Sequence, residues 1–314
     1  MSGLLNPSAV RELASSVGLT PTKRWGQNFV VDANTVRRLV TLAGVESGDQ
    51  VLEVGPGLGS LTLGLLEAGA SVVAVEIDAK LAQLLPQTVA QRLPEAVGRL
   101  DVIEGDALRL SPVILRGASE ASEVAGSATA TARQSDQADH ATARRMTVAP
   151  PAKLVANLPY NVAVPVVLTL LERFDDLTDG LVMVQLEVAR RLTAEPGSKV
   201  YGVPSAKLAW FAEAEFAGTV PASVFWPVPN VESGLVRFTR HNPPSATPRD
   251  KVFAVIDAAF AQRRKMLRSA LAPLASSQAV ASALDEAGVE QTARGETCTV
   301  AQFAAIAQAL FSEQ

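Results

Sequence analysis

The sequence predicts an α/β fold: a mostly parallel sheet with helices on both faces, followed by a small helical domain. Three observations carry this. Short apolar runs alternate with amphipathic, helix-length segments through the first 185 residues, the pattern of strands joined by crossover helices. A glycine-rich turn, Gly55-Pro56-Gly57-Leu58-Gly59, falls where a strand gives way to a helix. Beyond the proline-rich stretch His241-Asn242-Pro243-Pro244-Ser245-Ala246-Thr247-Pro248, the apolar spacing is helical to the end.

Taken in order, residues 8–17 read as a first helix. Residues 34–43 form a second, with Val36, Leu39, Val40 and Ala43 on one face. Val51-Leu52-Glu53-Val54 is a short buried strand that runs into the glycine turn and a helix through Leu61, Leu65 and Leu66. Ser71-Val72-Val73-Ala74-Val75-Glu76 is the next strand. Residues 79–92 are a helix expected to kink or break at Pro86, which lacks an N–H and crowds the preceding turn. Strands at 101–104, 153–156 and 180–185, with a helix at 164–173, continue the alternation. Helices at 249–272, 276–287 and 300–311 close the chain, giving expected domains 1–243 and 244–314. Residues 111–150 break the pattern: they are rich in Ala, Ser, Thr and Gln and read as an insertion, since structureless loops beyond about 12–15 residues are uncommon.

The composition narrows the function classes. With 48% hydrophobic residues in 314, the chain has ample material for a core, which excludes wholesale disorder. Cys298 is the single cysteine, so no intramolecular disulfide forms. No run reaches the roughly 18 apolar residues of a membrane span, and Met1-Ser2-Gly3-Leu4-Leu5-Asn6-Pro7 lacks the layout of a signal peptide, so a cytoplasmic protein is expected. His140 has no Cys or second His beside it, and no metal site is expected. The net charge of −4 argues against a nucleic-acid partner only on average. Between 185 and 275 there are 12 Lys/Arg against 7 Asp/Glu, a local basic excess.

The glycine turn points to a nucleotide-like cofactor, because a side chain there would hold the backbone away from a ligand. Its spacing is G-x-G-x-G, with Ser60 where a dinucleotide fingerprint places its third glycine. Glu76 ends the following strand, where a carboxylate accepts from both ribose hydroxyls. Asp106, after the third strand, is placed to accept from an adenine amino group. Together with Glu53 before the glycines, these acids favour S-adenosylmethionine over NAD. Singly, each could be a strand-end carboxylate or a helix cap.

Asn157-Leu158-Pro159-Tyr160 follows the fourth strand, at the edge where open α/β sheets bind ligands. Alone it could be an ordinary turn stiffened by proline. In this position it resembles the motif of methyltransferases acting on planar amino groups, and the chemistry explains the residue types. An adenine amino nitrogen has its lone pair delocalised into the ring. The Asn157 carboxamide oxygen and the Leu158 carbonyl can accept its two N–H bonds, favouring a more pyramidal and nucleophilic nitrogen. Tyr160 can stack on the base while Pro159 fixes the turn, and the rest is positioning for in-line transfer.

Further motifs make the resemblance specific. Lys23-Arg24-Trp25-Gly26-Gln27-Asn28-Phe29, Glu53-Val54-Gly55-Pro56-Gly57-Leu58-Gly59, Asn157-Leu158-Pro159-Tyr160-Asn161, Phe225-x-Pro227-x-Pro229-x-Val231-x-Ser233 and Phe260-Ala261-Gln262-Arg263-Arg264-Lys265 occur in this order. The chain thereby resembles the small-subunit (16S) ribosomal RNA adenine N6-dimethyltransferase (KsgA) family over nearly its whole length, the insertion excepted. The resemblance implies a Rossmann-like class I methyltransferase sheet, S-adenosylmethionine as donor, and two adjacent adenines in a hairpin near the 3′ end of small-subunit rRNA as target. It implies cofactor contacts at Gln27, Asn28, Val30, Gly55, Gly57, Glu76, Ile77, Asp106, Ala107 and Asn157. It also implies a role for Phe225 facing the flipped base opposite Tyr160. The partners implied are rRNA and the immature small subunit, met by a monomer away from membranes. Lys23, Arg24, Arg263, Arg264, Lys265 and Arg268 are the expected RNA contacts. Residues 262–268 are expected to be helical, with Phe260, Leu267 and Leu271 on a buried stripe and Arg264 and Arg268 on another face. Val30 stands where leucine is usual, and Trp25 and Trp226 add aromatic surface. Three alternatives remain at this stage: a large-subunit rRNA methylase of the antibiotic-resistance (Erm) type, a non-catalytic RNA- or DNA-holding factor, and, poorly, an NAD dehydrogenase.

Overall fold

A computed structural model describes residues 3–19, 28–111 and 150–311. Lys23, Arg24, Trp25 and Gln27, and all but the ends of the 111–150 insertion, lie outside the described residues. In chain order the main elements are α1 (Pro7–Ser16), β1 (Phe29–Val30), α2 (Ala33–Leu42), β2 (Gln50–Val54), α3 (Ser60–Glu67), β3 (Ser71–Glu76), α4 (Ala79–Arg92) and β4 (Leu100–Glu104). There follow β5 (Lys153–Asn157), α5 (Ala163–Arg173), β6 (Asp179–Gln185), α6 (Leu186–Leu192), α7 (Val203–Phe211), β7 (Ala212–Val220), β8 (Phe225–Trp226) and β9 (Ser233–Arg240). The C-terminal helices are α8 (Arg249–Ala261), α9 (Leu267–Ala270), α10 (Ser277–Glu286) and α11 (Val300–Phe311).

The chain divides into two compact units. The first takes in residues 1–159, 169–177 and 224–227. Its strands run in the order β4-β3-β2-β5, all parallel, in register from Gln50 against Ser71 and Val72 against Leu100. Val51, Leu52, Val72, Val73, Ala74 and Val75 are all buried, which is why these strands read as continuous apolar runs rather than alternating ones. Side chains start the helices: Asp32 accepts from the Thr35 N–H at 2.7 Å, and Asp78 from the Lys80 N–H at 2.9 Å. The helix α4 passes through Pro86 unbroken, contrary to the expected break. Pro86 lies on the exposed side, where water can satisfy the carbonyl it leaves free. A pair too short to show in the sequence, β1 with β8, runs antiparallel, setting Phe29 opposite Trp226 and Val30 opposite Phe225.

The second unit takes in residues 160–168, 178–223 and 228–314. Its strands run β6-β9-β7 and are antiparallel, with a bulge between Phe216 and Gly218. The C-terminal helices, expected from the sequence to begin a domain at 244, belong to the same compact unit as these antiparallel strands. The helical core is built from Val252, Val255, Ile256, Leu267, Leu271, Val280, Leu284, Phe303 and Ile306, all buried. The helix expected over 249–272 stops at Ala261. Gln262 to Lys265 form a turn closed by the Lys265 N–H on the Gln262 carbonyl at 2.8 Å. The Leu267 N–H, at the start of α9, then donates to the distant Ala293 carbonyl, also at 2.8 Å. Leu267 and Leu271 are buried as expected while Phe260 is only half-buried, and Arg264 and Arg268 do not share one helix face. Among the described residues no helix is long and apolar enough to cross a membrane.

Candidate active site

The glycine turn is built from its backbone. The Gly55 N–H donates to the Val75 carbonyl at 2.9 Å, which ties the turn to the neighbouring strand. Gly55, Gly57 and Gly59 all have positive φ, at 69°, 58° and 91°. Close approach adds to this at Gly57, where a Cβ would lie 2.7 Å from the Phe29 ring.

Glu76 closes the turn from the tip of β3. Its Oε2 accepts from the Gly57 N–H and its Oε1 from the Asp78 N–H, both at 3.0 Å. Burial raises its pKa, against the opposing pull of these N–H donors. The Ile77 N–H adds a third backbone donor, and the carboxylate still has acceptor capacity for a further one. Beside it, Ile77 is 55% exposed, an apolar surface presented at a strand end. Asp106 is half-buried and its Oδ1 accepts from the Leu108 N–H at 2.9 Å; Ala107 behind it is buried. Glu53, one strand inward, is fully buried and accepts from the Thr62 hydroxyl at 2.7 Å. Burial pushes its pKa up to about 8. The Ser60 hydroxyl, at the start of α3, is buried with no hydrogen-bond partner. A dipolar turn, two carboxylates, an apolar ledge and an orphaned hydroxyl fit a nucleoside carrying a polar tail, as S-adenosylmethionine does.

The segment after β5 adds further groups beside this turn, within the same unit. Asn157 donates through Nδ2 to the Asn28 carbonyl at 2.9 Å, across 129 positions of sequence. Because a carbonyl can only accept, the amide orientation is set, and Oδ1 is left as the outward acceptor. Leu158 is buried, and Pro159 packs against the turn, 3.6 Å from where a Cβ on Gly55 would stand. Val30 is buried in β1, which is further held by the Val31 N–H on the Val224 carbonyl at 2.8 Å. Phe225, expected to face the flipped base, is buried, at 1% exposure. Alternation along β8 turns Phe225 inward and leaves its half-buried neighbour Trp226 stacked on Phe29, with centroids 6.4 Å apart.

In the second unit, Tyr160 is half-buried, and its hydroxyl lies 2.9 Å from the Ser233 hydroxyl. The basic cluster is split in its roles. Arg263 is committed to Glu296 at 2.9 Å and to the Lys199 carbonyl at 2.6 Å. Arg268 donates to Ser277 and to Gln291, each at 3.3 Å. Arg264 and Lys265 are exposed. Sequence reasoning gave no role to Phe29, Thr62 or Ser233. The signals present were the aromatic beside Asn28 and the last position of the Phe-x-Pro-x-Pro segment; Thr62, nine positions from Glu53 across the glycine turn, carried none. Among the described residues no group of His, Cys, Asp and Glu could hold a metal ion.

Comparison with known proteins places the chain in a family. A family model described as ribosomal RNA adenine dimethylase matches residues 19–311. The ribosomal RNA small subunit methyltransferase A of Cutibacterium acnes is 54% identical, over 98% of this chain and 95% of its own length. That of Streptomyces avermitilis is 52% identical, over 97% and 93%. Among solved structures, a dimethyladenosine transferase from Plasmodium falciparum aligns with a TM-score of 0.67 at 20% identity, covering 88% of this chain and 95% of that one. The 23S rRNA methyltransferase ErmE aligns at 0.59 and 23% identity, covering 91% and 100%. At those identities the two structures speak for the fold alone.

Proposed function

The chain belongs to the ribosomal RNA adenine dimethylase family, and from that premise we infer that it is an S-adenosylmethionine-dependent enzyme that dimethylates adenine amino groups of small-subunit rRNA. The substrate is two adjacent adenines in a hairpin near the 3′ end, met by a monomer on the immature small subunit in the cytoplasm. The small-subunit assignment follows the curated relatives, each about half identical over almost the full length. The observation that carries the chemistry is the Asn157 amide, tied by its nitrogen to Asn28.

Bound S-adenosylmethionine supplies a methyl group on a sulfonium centre with a good leaving group. The remaining work belongs to this chain's residues. Glu76 accepts from the ribose hydroxyls with the lone pairs that Gly57 and Asp78 leave free. Ile77 offers its exposed side chain to the adenine ring of the cofactor, and Asp106 accepts from that ring's amino group. Asn28, Val30, Ala107 and the Gly55–Gly57 backbone line the remainder. On the substrate side, Asn157 Oδ1 and the Leu158 carbonyl accept the two N–H bonds of the target amino group, drawing its lone pair out of conjugation. Tyr160 stacks on the base once it has left its helix, which offsets part of the unstacking cost of a few kcal/mol. Pro159 holds the turn between these groups. The nitrogen sheds its proton to water after gaining the methyl, so no residue is required as a general base.

Incubation with labelled donor and under-methylated small subunits, large subunits or free rRNA tests this reading. Dimethyladenosine should appear in small-subunit RNA. Label confined to large-subunit RNA would replace the substrate, and RNA binding without transfer would replace the enzyme with a binding factor.

A further inference from the structure

Tyr160 is anchored at the far end of its side chain: its hydroxyl meets Ser233 at 2.9 Å. Ser233 is fully buried and opens β9, where its backbone lies between Gln185 of β6 and Val220 of β7. The preceding residue is fixed too, since the Glu232 carbonyl accepts from the Leu186 N–H at 3.0 Å. The following residue, Gly234, is packed so closely that a Cβ would lie 2.5 Å from that of Ala189. Ser233 is thus fully buried and mounted on the middle strand of three. The tyrosine hydroxyl is engaged within the protein rather than offered to a substrate, and burial raises its pKa, so it stays protonated at neutral pH. What Tyr160 has to present is the face of its ring.

We propose that Ser233 is a positioning residue, whose hydroxyl fixes the plane of the Tyr160 ring and thereby the height and tilt of an adenine stacked on it. This rests on the reading of Tyr160 as the stacking surface. A side chain anchored only at Cα turns about χ1 and χ2. A base resting on it then drifts by a fraction of an ångström or more, which in-line transfer tolerates poorly. Ser233 touches neither base nor cofactor and acts through Tyr160 alone.

The two ends of the bond can be removed separately. Single-turnover methylation of under-methylated small subunits is measured for the unaltered chain, Ser233→Ala, Tyr160→Phe and the double variant. Each single change should slow transfer about three- to ten-fold, within the range of one hydrogen bond, while KM for the RNA substrate stays within about two-fold. The double variant should be no slower than the slower single one, because both remove the same contact. An unaltered chain that transfers methyl groups beside a Tyr160→Phe variant of equal rate would overturn the proposal, as would additive losses in the double variant. Tyr160→Phe leaves the buried strand untouched, so the test stands even if Ser233→Ala folds poorly. An unaltered chain inactive on every ribosomal substrate is a different result: it removes the enzymatic reading, and this inference with it.

Discussion

At the scale of single residues, two buried carboxylates do different work. Glu76 spends one lone pair of each oxygen on Gly57 and Asp78. On the proposed reading, a ribose would meet an acceptor already aimed, with little left to order on binding. Glu76→Ala should weaken S-adenosylmethionine binding by about 1.5–3 kcal/mol, the range for a hydrogen bond to a charged group; calorimetry on the folded variant checks this, and unchanged affinity would remove Glu76 from the site. Glu53 has no such outlet, with the Thr62 hydroxyl as the hydrogen bond to its carboxyl. Its pKa of about 8 in the fold stands above an ordinary value of 4.5. Between those two values the unfolded chain has lost this proton while the folded chain keeps it. Stability from this group is therefore complete below pH 4.5 and falls as pH rises toward 8, by a few kcal/mol over the window. Glu53→Gln keeps an acceptor for Thr62 and removes the titration. Without cofactor, its advantage in Tm over the unaltered chain should grow from pH 5 to pH 8; parallel curves would show Glu53 ionised throughout.

At the scale of elements, the turn at 262–265 separates cations that the sequence ran together. Helical spacing continues through Arg264 and Arg268, but Arg263 is drawn to Glu296 and to the Lys199 carbonyl, and the chain leaves the helix at Ala261. Arg264→Ala with Lys265→Ala should therefore weaken RNA binding, reduce the salt slope by up to about one per lost phosphate contact, and leave Tm unchanged. Arg263→Ala should instead lower stability by about 1 kcal/mol or less, since its ion pair is partly exposed. A salt slope unmoved by the double change would make Arg264 and Lys265 solvated surface. The same contrast between local pattern and distant partner decides what could be read in advance. The parallel strands were legible because burial on both faces leaves unbroken runs such as Val51-Leu52 and Val72-Val73-Ala74-Val75. The strand β7 was not, for Ala212 to Val220 includes Glu213 and Glu215 and is largely accessible. Nor were β1 and β8, of two residues each, since no periodicity fits in so short a span. Within the site, the glycines and Glu76 lie in one strand–turn–helix–strand unit and announce themselves. The Asn157–Asn28 and Tyr160–Ser233 bonds join residues 129 and 73 positions apart, and no local rule pairs them.

At the scale of the whole molecule, the residues assigned to the cofactor all belong to the first compact unit where they are described. Adding S-adenosylmethionine at about 100 times its Kd stabilises the bound state by about 2.7 kcal/mol. Hydrogen exchange should accordingly slow at 28–31, 55–59, 76–78 and 106–108, and much less along α10 and α11. Equal protection in both places would mean that the ligand closes on more of the chain than these residues. The tie between Asn28 and Asn157, with β1 further paired to Phe225 and Trp226, also sets an order of events during synthesis. A ribosome delivers Asn28 and Phe29 early, yet Asn157 is added only at the midpoint of the chain, and Phe225 and Trp226 later still. The glycine turn can form with its own neighbours; the strand that covers it must wait. Closing so long a loop costs only slightly more than closing a short one, so the delay is one of sequence order rather than of energy. If the pocket is as proposed, a nascent or truncated chain ending before residue 157 would carry half of it, and methyl transfer would wait for the strands that hold β1.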